Sequence, residues 1–300
     1  MGASLNGQMP SRRKAVAGLF ARLRADLAQV RPEYSDQVLC PLCVRPFGRA
    51  AITDMGDEGL SLEHIIPRAL GGSYVTLSCR RCNNRQGSAL DAHLVRMIRT
   101  LDWEEGDGST LKGTVRIGDA ELPMEISWSI GEVPKTIKIL GGKPKLIEQF
   151  QTMARGMGEG DIVNLTFSFD YVELKARRAL VRLGYLALFA QLGYRYILSE
   201  AGAFVRRLLA EGDIDALRAL TPRLGNVKEE RIKHRIIVSP IGDGDVVVAH
   251  LVLIRTETLK KRHHAVLLPG AAIPEASVLS VLAEVRTKLH GNRYTIRVSE

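Results

Sequence analysis

The chain of 300 residues has four cysteines, and all four fall in two Cys-x-x-Cys pairs: Cys40 and Cys43 in CPLC, Cys79 and Cys82 in CRRC. Thiolates two residues apart can both reach one ion at about 2.3 Å, and two such pairs suit tetrahedral zinc. Two redox pairs or four ordinary buried thiols are the other reading. The repeated spacing, with no cysteine left over, favours one structural Zn2+ site. Between the pairs lies LEHIIPRALGG with Glu63 and His64, and directly after the second pair comes NNRQG, opening on Asn83. An imidazole titrating near neutrality can take a proton from water. A carboxylate with an amide oxygen can hold a hard cation, Mg2+ or Mn2+, while the soft thiolates take the zinc. Arg68, Arg80, Arg81 and Arg85 surround this set in sequence and offer planar, charged grips for phosphate oxygens.

Such groups need elements to position them. Alternation around Leu60 to Ile66 predicts a strand or hairpin, and Gly71-Gly72 predicts a turn. Asn83 stands where a helix opens, running on through Leu90, Leu94 and Ile98. Strand, turn and helix then form a two-sided clamp with zinc at its root. Asp91 and His93 lie further along the same helix. His93, ten positions beyond Asn83 and about 280° around the axis, is not expected to share an ion with it.

Cys-x-x-Cys, Glu-His-Ile-Ile-Pro, Gly-Gly and Cys-x-x-Cys-Asn with a following Gly together resemble the HNH endonucleases, in the branch with an EH-x-x-P core and two zinc knuckles. The resemblance covers roughly residues 38–95. It implies a ββα-metal fold that cuts phosphodiester bonds with a divalent cation. Carried over by position, His64 matches the general base, Glu63 the acidic metal ligand, and Asn83 the metal ligand on the helix. The sequence departs from the common pattern in two places. The middle Asn is absent, with Tyr74 or Val75 in that stretch, so no side chain is evident to orient His64. Gln86 also stands where many members carry Lys.

Charge and composition bound the partners. A net charge of +9 and a pI near 9.5 favour a polyanion, and the resemblance makes it nucleic acid, expected to be double-stranded DNA. Residues 1–100 carry +6 and residues 171–300 carry +8, whereas residues 101–170 carry −5 and are expected to stay off a phosphate backbone. Aromatic residues at 5% argue against a base-stacking platform. Arg12, Arg13 and Lys14 precede an apolar run, but Arg22 and Arg24 interrupt it too early for a secretory leader. Val16, Leu19, Phe20, Leu23, Leu27 and Val30 follow helical spacing instead, and a packing helix is expected. The uncharged stretch Leu183 to Tyr194 is well short of the roughly 20 residues that span a bilayer. These features lead to the expectation of a cytoplasmic protein without a membrane partner.

The expected fold class is α+β: a small ββα-metal module with a four-cysteine zinc site, followed by a larger mixed α+β domain. The expected boundaries are 1–36 for an amphipathic helix, 37–100 for the nuclease module, 101–109 for an acidic linker, and 110–300 for the second domain. Strands are expected at 110–117, 124–128, 136–140, 162–169, 231–238, 246–254, 265–268 and 294–298, and helices at 174–197, 203–209 and 277–289. The basic run Lys260 to His264 is expected at a solvated hairpin tip. Substrate positioning, homo-oligomerisation or sensing are the roles open to the second domain. Two other function classes stand beside the metal-dependent endonuclease. One is a zinc-stabilised nucleic-acid-binding protein without catalysis. The other is a nuclease effector of anti-phage defence regulated by the C-terminal domain.

Overall fold

The computed structural model describes residues 9–129, 136–140, 143–167, 170–222, 235–241, 244–255, 261–278 and 280. The helices are α1 (Met9–Val30), α2 (Arg80–Cys82), α3 (Ala89–Glu104), α4 (Pro144–Arg155), α5 (Glu173–Leu192), α6 (Tyr194–Ile197), α7 (Glu200–Glu211) and α8 (Ile214–Leu220). The strands are β1 (Val38–Leu39), β2 (Pro46–Phe47), β3 (Leu60–His64), β4 (Val75–Cys79), β5 (Asp107–Ile117), β6 (Ala120–Ser129), β7 (Thr136–Leu140), β8 (Val163–Phe167), β9 (Arg235–Ile241), β10 (Gly244–Ile254) and β11 (Lys261–Pro269). The fold class is α+β, as expected.

Two compact units form, one from Met1–Ala92 with Leu174–Glu300, the other from His93–Glu173. In the first, β3 and β4 pair antiparallel from Leu60↔Cys79 to His64↔Val75, and β1 pairs with β2. A three-stranded antiparallel sheet runs β11-β10-β9. Helix α1 buries Val16, Phe20, Leu23 and Leu27, the stripe that its spacing predicts. Helix α5 is buried almost all round, from Ala176 to Phe189. Its Gly184 lies so close to β11 that an added Cβ would stand 2.8 Å from the Val266 side chain. Tyr185 at its centre donates to the Pro41 carbonyl at 2.8 Å, and Tyr194 of α6 donates to Leu39 O at 2.8 Å and accepts from Leu39 N at 2.9 Å. Two tyrosines thus tie the helical layer to the first Cys-x-x-Cys turn.

The second unit is a four-stranded antiparallel sheet, β7-β6-β5-β8. Val115, Leu122, Met124 and Ile126 form its buried core, against which Leu146, Phe150 and Met153 of α4 pack. Trp103 packs against Phe167 with ring centroids 4.3 Å apart and planes tilted by 53°, and donates to Ile126 O at 3.1 Å.

This division differs from the expected one. Residues 101–109 do not form a linker: α3 continues to Glu104, Asp102 is fully buried, and β5 starts at Asp107. The acidic letters mask a helix end anchored by Trp103. Residues 110–300 do not stand as one domain either, because 174–300 group with 1–92. The apolar perimeter of α5 and the bonds of Tyr185 on α5 and Tyr194 on α6 to residues 39–41 give the reason. Helices α4 and α8 have no counterpart among the expected elements, and Lys261–His264 belong to β11 rather than to a hairpin tip. Lys260, most of the expected helix 277–289, the strand 294–298 and the opening of the strand at 231–238 lie outside the described residues.

Candidate functional site

The two Cys-x-x-Cys turns meet. The four sulfurs of Cys40, Cys43, Cys79 and Cys82 all lie within 4.8 Å of one another. Four thiolates around an ion at about 2.3 Å would stand about 3.8 Å apart. Cys43 Sγ and Cys79 Sγ are 3.8 Å apart, so the set fits the ion by size as well as by donor type. The first turn is closed by Cys40 N–H to Arg45 O at 3.0 Å and Val44 N–H to Cys40 O at 2.8 Å. It holds Val44 at φ 57°, a left-handed conformation that costs a β-branched residue about 1–3 kcal/mol. The second turn opens α2, with Cys82 N–H and Cys79 N–H donating to the sulfurs of Cys79 and Cys40 at 3.4 Å. Hydrogen bonding from Cys40 draws Cys43 well below the ordinary thiol range and Cys79 down to about 6, while burial pushes Cys40 up. Cys82 is raised as well, the pull of Cys40 being outweighed by Cys43, Cys79 and burial, so two of the four sulfurs lean toward thiolate and two toward thiol.

The hairpin carries the chemistry-bearing residues of EHIIP. Gly71 caps the short turn Arg68–Leu70 at φ 81°, and at Gly72 an added Cβ would stand 1.7 Å from Ile66 O. Only glycine lets the chain double back this tightly. Glu63 is 2% exposed and turns into a polar cluster beneath the strands. Its Oε2 accepts from Ser78 Oγ at 3.2 Å, and its Oε1 accepts from Nη2 of Arg182, a fully buried residue of α5. Arg182 Nη1 also donates to Asp91 Oδ1 at 2.8 Å. Burial pushes the Asp91 carboxyl up to about 6, against the pull of Arg182.

Asn83 begins a π-helical turn, Asn83–Ser88, between α2 and α3. Such irregular turns recur at functional sites because they re-aim side chains. Here the amide donates to Ser61 Oγ at 3.0 Å and Leu62 O at 3.1 Å, pinning helix to hairpin. Its Oδ1 lies 3.1 Å from the point a Gly87 Cβ would occupy, and Arg182 Nη2 lies 3.7 Å from that same point. A side chain at Gly87 would therefore crowd Asn83 Oδ1. By donor chemistry, the Glu63 carboxylate and the Asn83 amide oxygen are of the type that suits a hard cation. The positive charge now standing among them is the Arg182 guanidinium.

His64 is half-buried on β3, and its Nε2 accepts from Arg68 Nε at 2.9 Å. Arg68 thus supplies a support for the imidazole that the missing middle Asn does not. Of the other arginines, Arg80 is held by Asp54 O at 3.1 Å and Met55 Sδ at 3.3 Å. Arg81 and Arg85 are exposed and line one cleft beside Cys43 and Cys82. Sequence reasoning missed Arg182, whose one signal was a lone charge inside the apolar run ALVRLGYLALF.

Residues 52–99, which hold Glu63, His64 and Asn83, match a family described as HNH endonuclease. Neither a search of curated proteins nor one of solved structures gave a match. Among the described residues no helix is long and apolar enough to cross a membrane.

Proposed function

We propose that this chain, with residues 52–99 as its HNH endonuclease module, hydrolyses phosphodiester bonds in double-stranded DNA, with His64 as general base. The observation that supports this reading most is that the family match spans Glu63, His64 and Asn83, residues set on one hairpin and on the helical turn pinned to it. The contact from Arg68 Nε requires a lone pair on His64 Nε2, which is what a general base must offer. In the reaction Arg68 turns to a non-bridging phosphate oxygen, an incoming water takes its place at Nε2, and the imidazole removes the water proton. Cys40, Cys43, Cys79 and Cys82 would hold a zinc ion that keeps the two halves of the clamp in register, outside the bond-cleaving chemistry. Glu63 and Asn83 would hold a divalent cation, Mg2+ or Mn2+, which supplies Lewis acidity at the leaving oxygen. Glu63 Oε1 is free for that task only when Arg182 releases it.

The enclosure of Glu63 by Arg182 favours one second reading, a zinc-stabilised nucleic-acid-binding protein without catalysis. Incubating supercoiled plasmid with the purified chain, with and without Mg2+ or Mn2+, separates the two. The endonuclease produces nicked or linear DNA. His64→Ala should slow that conversion by about 10²- to 10⁴-fold while zinc content and circular dichroism stay at wild-type values. Wild-type cleavage by His64→Ala would remove His64 from the reaction, and no cleavage under any condition would leave the binding protein.

A further inference from the structure

A cleft of about 610 Å³ opens beside the Cys43 and Cys82 turns, and the nuclease segment supplies only part of its wall. Five cationic side chains line it: Arg45, Arg81, Arg85, and Lys175 and Arg178 from α5. No carboxylate is among the lining residues, which are completed by the apolar Leu42, Ala89, Leu90 and Ala210, with Gln86 and the two cysteines. Beyond what the cysteine sulfurs offset, this cationic lining repels itself and attracts an anion. Arg45 is the exception, since it is balanced at 2.9 Å by Glu58.

A second observation points the same way. Arg178 is anchored through Nη2 on Leu209 O, yet its Nε is a buried donor with no acceptor among the described residues. Gln86 Oε1 is likewise buried without a donor among them. Both residues line the cleft, and unsatisfied buried polar atoms are rare enough to mark a place where a ligand or ordered water completes the bonding. Guanidinium groups, an ammonium and an apolar wall together select an anion with planar-accessible oxygens and a less polar body, the character of a phosphoester with its sugar or base. The volume is that of a small-ligand site, within about 300–1,000 Å³.

The cleft is distinct from the hairpin end that carries His64. It borders the cysteines, at the Cys79 end of the β3–β4 pair, whereas His64 pairs with Val75 at the other. Four strand residues, about 13 Å, separate those two ends.

We propose that this cleft is a phosphoester-binding site built jointly by the zinc turns and α5, apart from the cleavage centre. Two sources present that chemistry, the sugar–phosphate backbone flanking the cleaved bond and a free nucleotide. Lys175 and Arg85 are exposed and have no hydrogen bond or ion pair to a side chain among the described residues, so they are the residues to change.

The test uses the full zinc-loaded chain without added Mg2+ or Mn2+ and measures dissociation constants for a labelled short duplex, for ATP and for pyrophosphate. The double variant Lys175→Glu/Arg85→Glu should weaken at least one of these by about tenfold or more. Lys145→Glu, a reversal on α4 outside the cleft, should change each by less than about twofold. Loss confined to the duplex assigns the backbone as the source, and loss confined to ATP and pyrophosphate assigns a free nucleotide. Should charge reversal perturb the melting temperature, Lys175→Gln/Arg85→Gln carries the same reading with a smaller loss. Equal affinities in wild type and variant, or no binding of any probe by the wild type, overturns the proposal. Because cleavage is not read, a chain that binds but never cuts DNA fails the nuclease reading alone. A chain that cuts with unaltered binding in the variant fails this inference alone.

Discussion

At the residue scale, Arg182 controls the electrostatics beneath the hairpin. Removing a fully buried guanidinium from Glu63 and Asp91 would strand two carboxylates in a medium that disfavours their charge. Even with Arg182 in place, burial holds the Asp91 carboxyl up at about 6, above its ordinary value of 3.8. The folded chain therefore binds this proton more tightly than the unfolded chain does. The resulting stabilisation is complete below the unfolded pKa and is lost as the pH rises through about 6. Asp91→Asn abolishes that dependence. Unfolding free energies from denaturant melts, taken as variant minus wild type, should rise by about 1–3 kcal/mol between about pH 4.5 and pH 7.5. A difference that stays flat across that range would mean that Asp91 titrates as an ordinary carboxylate.

At the element scale, a tight turn and a four-sulfur cluster set the position of β3 against the helical turn carrying Asn83. The turn depends on Gly72, where an added Cβ would stand 1.7 Å from Ile66 O. Gly72→Ala should lower thermal stability by about 2–3 kcal/mol, since the carbonyl belongs to the backbone and cannot swing aside. The same change at Gly18, where no atom lies within 4 Å of an added Cβ, is the control and should be neutral or mildly stabilising. The cluster is suited by donor type and spacing to zinc. One zinc per chain is expected by atomic absorption, and Cys79→Ser should reduce that content and loosen the pairing of β3 with β4, whose last residue is Cys79. Full zinc occupancy in the Cys79→Ser protein would contradict a four-thiolate site.

At the scale of the whole molecule, the first Cys-x-x-Cys turn and the segment that matches the HNH family draw partners from far along the chain. Leu39 N and O are both taken by the Tyr194 hydroxyl, Pro41 O by Tyr185, and Glu63 by Arg182, all from beyond residue 173. A fragment of residues 37–100 lacks these partners and exposes the apolar surface that α5 covers. It should show a collapsed near-ultraviolet spectrum and bind zinc more weakly than the full chain. A well-dispersed amide spectrum from that fragment would show instead that the helical layer is dispensable for folding.

The cysteine spacing, the EH-x-x-P core and Asn83 were legible without coordinates because metal and nuclease chemistry demand particular atoms at short separations along the chain. Local periodicity likewise marked α1, β3 and most strands of the four-stranded sheet, since a buried face repeats in the letters. The domain boundaries were not legible in this way. Asp102 and Glu104 read as linker residues, yet Trp103 between them packs on Phe167, and composition does not reveal a partner 64 positions away. Arg182 reads as a blemish in an apolar helix, and its meaning lies 119 residues upstream at Glu63. Arg68 reads as a phosphate contact, and its pairing with His64 Nε2 is visible only in the fold. Motif chemistry is short-range and was fixed by residue order, whereas charge pairing and burial depend on which distant surfaces the core brings together, and only the tertiary structure decides that.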